Sequence, residues 1–193
     1  TADSNFIESK SVADADLIIF PGGSDINPEL YKQPVGRYTH FYKNIDERQL
    51  EYFHPYLGKK RFFGICRGLQ LLSALNGLTL IQDMSHPGHN SIKVKDINTN
   101  LFTKEIAVNN IHHQCVWTEN KLIGDNFEVY GFCSLSKKHH YQEDEQIQCE
   151  FEPEIIWFPK VKALGVQFHP EMMDNMSWKD TISYLEKLVN KLF

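Results

Sequence analysis

The segment Arg61-Phe62-Phe63-Gly64-Ile65-Cys66-Arg67-Gly68-Leu69-Gln70 constrains the fold more than any other stretch of this sequence. A strand-like run, Arg61 to Ile65, meets a cysteine with glycine two positions away on either side. A helix-like run, Gly68 to Leu75, opens at once and stops at Asn76-Gly77. Such a tight bend needs small residues on both sides, so that strand and helix can approach each other and the thiol can project from the turn. A strand feeding directly into a helix is the unit from which helix-covered sheets are built.

The rest of the chain fits that unit. Leu17 to Phe20 reads as a fully buried strand closed by Pro21-Gly22-Gly23. Ile45 to Leu57 reads as a helix with Leu50, Phe53 and Leu57 on one side, shortened or kinked at Pro55. Further β-type runs follow at Thr79–Ile81, Ile92–Val94, Ile106–Val108, Phe127–Tyr130, Ile147–Phe151, Ile155–Phe158 and Leu164–Phe168, while the polar stretch 134–146 reads as an exposed loop or hairpin tip. Trp178, Ile182, Leu185, Val189 and Leu192 recur at helical spacing, with Ser177 and Asp180 resembling a capping box, and predict an amphipathic closing helix. The expectation is an α/β fold with a mostly parallel sheet flanked by helices.

Composition narrows the class. With 193 residues and no repeat or linker-like shift, one domain over 1–193 is expected. The 41% hydrophobic and 23% charged residues are those of an ordinary globular protein, with no membrane-length apolar run. Twenty basic against 25 acidic residues give a net charge of −5, which disfavours nucleic acid as a partner. The four cysteines form neither a CxxC pair nor a disulfide framework, so a reducing, cytoplasmic location is expected. Thr1 rather than Met opens the sequence and no leader pattern follows it, so processing or trimming is expected to have removed the true start.

Alone, Cys66 could equally be an inert buried cysteine. The balance tips at Gly165-Val166-Gln167-Phe168-His169-Pro170-Glu171, where a second apolar strand ends in a histidine with a carboxylate two positions on. On extended chain, residues at i and i+2 share a side, and Pro170 restricts the backbone between them. Glu171 would then fix the imidazole tautomer that offers its other nitrogen to Cys66. The N-terminus of the helix after Cys66 is expected to favour the thiolate and lower the thiol pKa. For a tetrahedral oxyanion, two backbone sources present themselves: the N–H of Arg67 and the glycine pair Gly22-Gly23. The carboxyl ends of strands in an open parallel sheet line one crevice, where all three segments could meet.

Six ordered segments carry a resemblance: Phe20-Pro21-Gly22-Gly23-Ser24-Asp25-Ile26-Asn27-Pro28-Glu29-Leu30-Tyr31, the Cys66 bend, Ala74-Leu75-Asn76-Gly77, Gln82-Asp83, Val108-Asn109-Asn110-Ile111-His112-His113-Gln114 and the His169 segment. Over residues 17–172 the chain resembles the class I glutamine amidotransferase-like family, a flavodoxin-like α/β fold. Within that family it is most similar to the γ-glutamyl hydrolase branch, especially γ-glutamyl-γ-aminobutyrate hydrolases. The resemblance implies Cys66 as nucleophile, His169 as base and acid, Glu171 as its orienter, and Gly23 and Arg67 as oxyanion donors. It further implies that Gln70, His112 and Gln114 lie near the γ-glutamyl group. The implied substrate is a small γ-glutamyl compound or glutamine, with no cofactor and no metal. The implied partners are a second copy of the chain or a separate synthetase subunit.

The sequence departs from the family at two places. Only 16 residues precede Leu17, so an N-terminal strand and helix usual in the family are missing, replaced or supplied elsewhere. The stretch around Asp46, Glu47, Arg48 and Glu51 matches the hydrolase branch's acidic motif only in part. Three other functions fit less well: a glutaminase subunit delivering ammonia to a synthetase, a catalytically silent binding module, and a metal site built from the pairs His86/His89, His112/His113 or His139/His140. The last lacks a convincing third ligand.

Overall fold

The computed structural model describes residues 8–84, 90–134, 139–142, 145–173 and 178–193. Its strands are β1 (Leu17–Phe20), β2 (Arg61–Ile65), β3 (Thr79–Ile81), β4 (Ser91–Lys95), β5 (Phe102–Ala107), β6 (Cys115–Trp117), β7 (Glu128–Ser134), β8 (His139–Gln142), β9 (Glu145–Gln148), β10 (Phe151–Phe158) and β11 (Ala163–Val166). The α-helices are α1 (Lys43–Phe53), α2 (Arg67–Leu75) and α3 (Trp178–Leu192).

Seven strands form the central sheet in the order β1-β2-β11-β10-β7-β4-β5. The expected parallel character is confined to the strands that carry the candidate site: β1 with β2 and β2 with β11 are parallel. Beyond β11 the pairs are antiparallel, β11 with β10, β10 with β7, β7 with β4 and β4 with β5. The reason is the connection. Only a short 3-10 turn, Pro159–Val161, separates β10 from β11, and a parallel crossover requires a dozen or more residues.

Alternation along the strands divides the core in two. On one side Phe20, Phe62, Ile156 and Phe158 pack with Leu69 and Leu72 of α2; on the other Ile155, Trp157, Leu164 and Val166 pack with Tyr184 and Leu188 of α3. All eight residues of β10 are buried, because it lies mid-sheet with a layer on either face. β1, expected to be fully buried, is an edge strand among the described residues, and Ile19 is 53% exposed.

Local chemistry explains the boundaries. α1 ends at Phe53, and Pro55 sits in the 3-10 turn His54–Tyr56 that follows, which leaves Leu57 exposed rather than on the helix face. α2 stops at Asn76-Gly77, where Gly77 takes φ 86°. The expected run Ile147–Phe151 divides between β9 and β10, and the polar stretch 134–146 contains most of a β8–β9 hairpin. β6, which pairs with β3, was not anticipated. α3 buries Thr181, Tyr184, Leu185 and Leu188, a stripe rotated from the one expected, because Thr181 Oγ1 donates to the Ala107 carbonyl and the Tyr184 hydroxyl to that of Lys95. Ser177 of the expected capping box lies outside the described residues.

Candidate active site

Cys66 directly follows β2 and caps α2 with φ 50° and ψ −104°, a backbone conformation that L-residues rarely hold. Both flanking glycines are required there. A Cβ on Gly64 would run into the backbone of Gly68 and Leu69, and one on Gly68 into the Phe20 carbonyl oxygen. The bend is tied to the neighbouring strand by Cys66 N–H donating to the Val166 carbonyl at 2.7 Å.

The chain that leaves β11 immediately supplies the imidazole. His169 Nδ1 lies 2.8 Å from Glu171 Oε1, as the sequence suggested, but by a different route. Pro170–Met172 forms a 3-10 turn with His169 as its cap, and Met172 N–H donates to the His169 carbonyl at 3.1 Å. The pair therefore meets across a turn, not along extended chain. With Nδ1 engaged by the carboxylate, Nε2 is the nitrogen left to exchange protons. Gly22 lies against this ring, since a Cβ there would sit 2.5 Å from His169 Cε1.

Asn109 fixes the histidine's backbone. Its Nδ2 donates to the His169 carbonyl at 2.7 Å, and its Oδ1 accepts from the His169 N–H at 2.8 Å. Sequence reasoning quoted Asn109 within a motif and gave it no role.

A cleft of about 250 Å³ opens over the sulfur, bordered by Gly23, Cys66, Gln70, His112 and Gln114. These are five of the eight residues singled out from the sequence, and Gly22 links them to His169 and Glu171. The eighth, Arg67, divides its functions. Its backbone N–H hydrogen-bonds the Cys66 sulfur, while its buried guanidinium turns away to Asp46 and Gln49. A larger groove of about 640 Å³ between β5 and α3, lined in part by Asp96, Lys104 and Tyr184, shares no residue with this cleft.

The thiol does not behave as its place at a helix N-terminus suggested. Burial pushes the Cys66 pKa up to about 12, with Glu154 and Glu171 adding to the rise. The Arg67 N–H and the Gln167 amide oppose it and lose. Cys66 is only 7% exposed, and desolvation of a thiolate at that depth outweighs a dipole effect of at most about 2 kcal/mol. Burial thus favours the neutral thiol over the thiolate.

His112 and Gln114 face inward. His112 Nδ1 lies 3.0 Å from the Gln114 carbonyl, and its Nε2 faces Glu154 Oε1 at 3.4 Å. Gln114 Nε2 donates to Thr39 Oγ1 at 3.1 Å, and Thr39 Oγ1 donates to Gln82 Oε1 at 2.6 Å, which ties the loop carrying His40 and Tyr42 to the cleft. At the mouth, His113 Nε2 pairs with Asp25 Oδ1 at 2.9 Å, and that hydrogen bond raises the His113 pKa. His112 and His113 therefore point to different partners. His86 and His89 lie outside the described residues, and no group of three or more His, Cys, Asp or Glu among the described residues is arranged to hold a metal.

Comparison with known proteins gives the family and the fold. The sequence model of the Peptidase C26 family matches residues 2–171. A protein of Lactococcus lactis subsp. lactis named as glutamine amidotransferase-like, YvdE, is 25% identical over 162 residues, covering 74% of this chain and 67% of that protein. Protein NtpR of Enterococcus hirae is 24% identical over 186 residues, covering 86% of this chain and 70% of its own length. Among solved structures, a Thermoplasma acidophilum protein described as a GMP synthase subunit superposes with a TM-score of 0.58 at 15% identity, over 94% of this chain and 74% of that one. That last likeness is one of fold.

Proposed function

This chain belongs to the Peptidase C26 family, and on that premise we propose that it is a cysteine hydrolase that cleaves the γ-glutamyl amide bond of a small γ-glutamyl compound. Its fold is that of the class I glutamine amidotransferases. The observation that carries the proposal is the continuity of one segment. The chain whose Val166 carbonyl holds the Cys66 N–H goes on, within five residues, to the hydrogen-bonded His169–Glu171 pair.

In the proposed reaction His169 takes the Cys66 proton as sulfur attacks the γ-carbonyl, forming a carbon–sulfur bond. The oxyanion faces the backbone N–H groups of Gly23 and Arg67. Collapse breaks the carbon–nitrogen bond as His169 passes its proton to the leaving amine, leaving a γ-glutamyl thioester. Water then gives a proton to the same imidazole and attacks the thioester; glutamate leaves and the thiol recovers its proton. Gln70, His112 and Gln114 surround the γ-glutamyl group. The sequence requires neither metal nor organic cofactor, and we place it in a single cytoplasmic domain.

A second reading rests on the relatives named as glutamine amidotransferase-like: glutamine is the substrate and the ammonia goes to a separate synthetase. One assay addresses both. A panel of γ-glutamyl compounds including glutamine is incubated with the purified chain and with Cys66→Ala, and released glutamate is measured. Turnover by wild type alone, abolished in the variant, supports the hydrolase. Turnover of glutamine only when a synthetase is added supports the ammonia-delivering reading, and equal readings from wild type and variant on every compound, both without and with the synthetase, reject both in favour of a silent binding module.

A further inference from the structure

A glutamine lies between the nucleophile's strand and the histidine. Gln167, fully buried, directs Nε2 at the Cys66 sulfur from 3.5 Å. Its backbone N–H is fixed by the Glu154 carbonyl at 2.8 Å. Its amide orientation follows from its neighbours. Gln70 Nε2 is 3.2 Å from the Gln114 carbonyl, which can only accept, so that atom of Gln70 is the donor. The same nitrogen lies 3.4 Å from Gln167 Oε1, which must then accept, and this leaves the Gln167 NH₂ facing sulfur.

We propose that Gln167 is a catalytic hydrogen-bond donor to the Cys66 sulfur, held in orientation by Gln70 as a positioning residue. The inference rests on Cys66 being the nucleophile of the proposed hydrolase. A neutral amide serves this position better than a cation. It stabilises the thiolate when His169 withdraws the proton, yet does not hold the charge so tightly that attack is slowed. The charged groups acting on the sulfur are the carboxylates of Glu154 on β10 and Glu171 after β11, both of which disfavour the thiolate, with His169 beside Glu171 and His112 beside Glu154. Gln167 and the Arg67 N–H are the two donors that oppose them. A lone polar side chain in the apolar run Gly165 to Phe168 was the sequence signal for such a group.

The test is peptide-resolved alkylation of Cys66 by iodoacetamide from about pH 6 to about pH 11, where the thiolate is the reacting species. Wild type is compared with Gln167→Leu, Gln167→Glu and Gln70→Leu, each checked for an unchanged thermal midpoint. Gln167→Leu is expected to move the profile up by about one pH unit and to slow alkylation about tenfold near neutrality. Gln167→Glu, nearly isosteric, should slow it further, and Gln70→Leu should shift it less in the same direction. Hydrolysis of γ-glutamyl-p-nitroanilide by Gln167→Leu should lose kcat with little change in KM. Profiles of both Gln167 variants that superimpose on wild type overturn the assignment. Alkylation needs no turnover, so a protein inactive on every γ-glutamyl compound still answers this question, and the two proposals fail separately.

Discussion

Asn109 holds His169 by its main chain at both polar atoms, donating to the carbonyl and accepting from the amide, and so fixes the backbone that carries the imidazole. The clamp bridges segments 60 residues apart in sequence. It matters because His169 sits on a turn after β11 rather than within the sheet, where ladder hydrogen bonds would fix it. Replacing Asn109 with Ala removes two hydrogen bonds worth about 1 kcal/mol each. In the proposed hydrolysis, activity should fall further than stability, since a displacement of about 1 Å at the group that moves the proton can cost about a hundredfold. Steady-state kinetics should show the loss in kcat with KM nearly unchanged, alongside a thermal midpoint lowered by only a few degrees.

Gly22 tests the same imidazole from its other side. An added methyl would sit 2.5 Å from His169 Cε1, too close to be accommodated without moving the ring. The obstacle is a side chain, not backbone as at Gly68. Gly22→Ala is therefore expected to fold and to lose most hydrolysis, whereas Gly68→Ala, whose methyl meets the Phe20 carbonyl, should fail to accumulate as folded protein. Circular dichroism and activity measured on both variants check the contrast; a fully active Gly22→Ala would mean that His169 is free to move without consequence.

The buried thiol predicts how stability depends on alkaline pH. Cys66 has a pKa of about 12 in the folded chain against an ordinary 9.0, so the folded state binds its proton more tightly than the unfolded one. Its contribution is complete below about pH 9 and is lost as pH rises towards 12, reaching about 1.4 kcal/mol of destabilisation at pH 10. Cys149, also raised to about 12 by burial, acts with the same sign. Urea unfolding at pH 8 and pH 10 should show wild type losing about 1.4 kcal/mol more than Cys66→Ala over that interval.

What could be read in the sequence was local. The bend at Cys66 was legible because Gly64 and Gly68 leave no other way to pass from β2 into α2, and β2 and β3 fell where the apolar runs placed them. The sense of the outer strands was not legible, since β10 and β11 read alike as short apolar runs, and only the brevity of Pro159–Val161 decides that they run antiparallel. In the candidate site, type and spacing single out Cys66, His169 and Glu171, and of these the structure joins His169 to Glu171 by a hydrogen bond. Asn109 is not singled out, because its partner is backbone and any sequence would offer the same carbonyl. The thiol pKa was misread for a related reason: a helix N-terminus can be seen in sequence, but the depth of burial that overrides it arises only when the cleft closes.

Within the stretch that matches the acidic motif only in part, Asp46 is committed to a buried ion pair with Arg67. Asp46 and Arg67 are 3% and 2% exposed and form an ion pair, with Gln49 taking a second guanidinium nitrogen and Asn27 N–H donating to Asp46 Oδ2 at 3.0 Å. Burial raises the Asp46 pKa and lowers that of Arg67, and each partner's charge counters that effect on the other. The pair anchors α1 and the loop after β1 to the residue that follows Cys66. Breaking such a pair from one side strands a buried charge and costs about 3 to 5 kcal/mol, whereas removing both charges costs much less. Arg67→Met alone should therefore destabilise strongly, and Arg67→Met with Asp46→Leu should recover most of the loss. Denaturant unfolding of the two singles and the double gives the coupling energy, and additive losses would show that the two side chains are held by their surroundings rather than by each other.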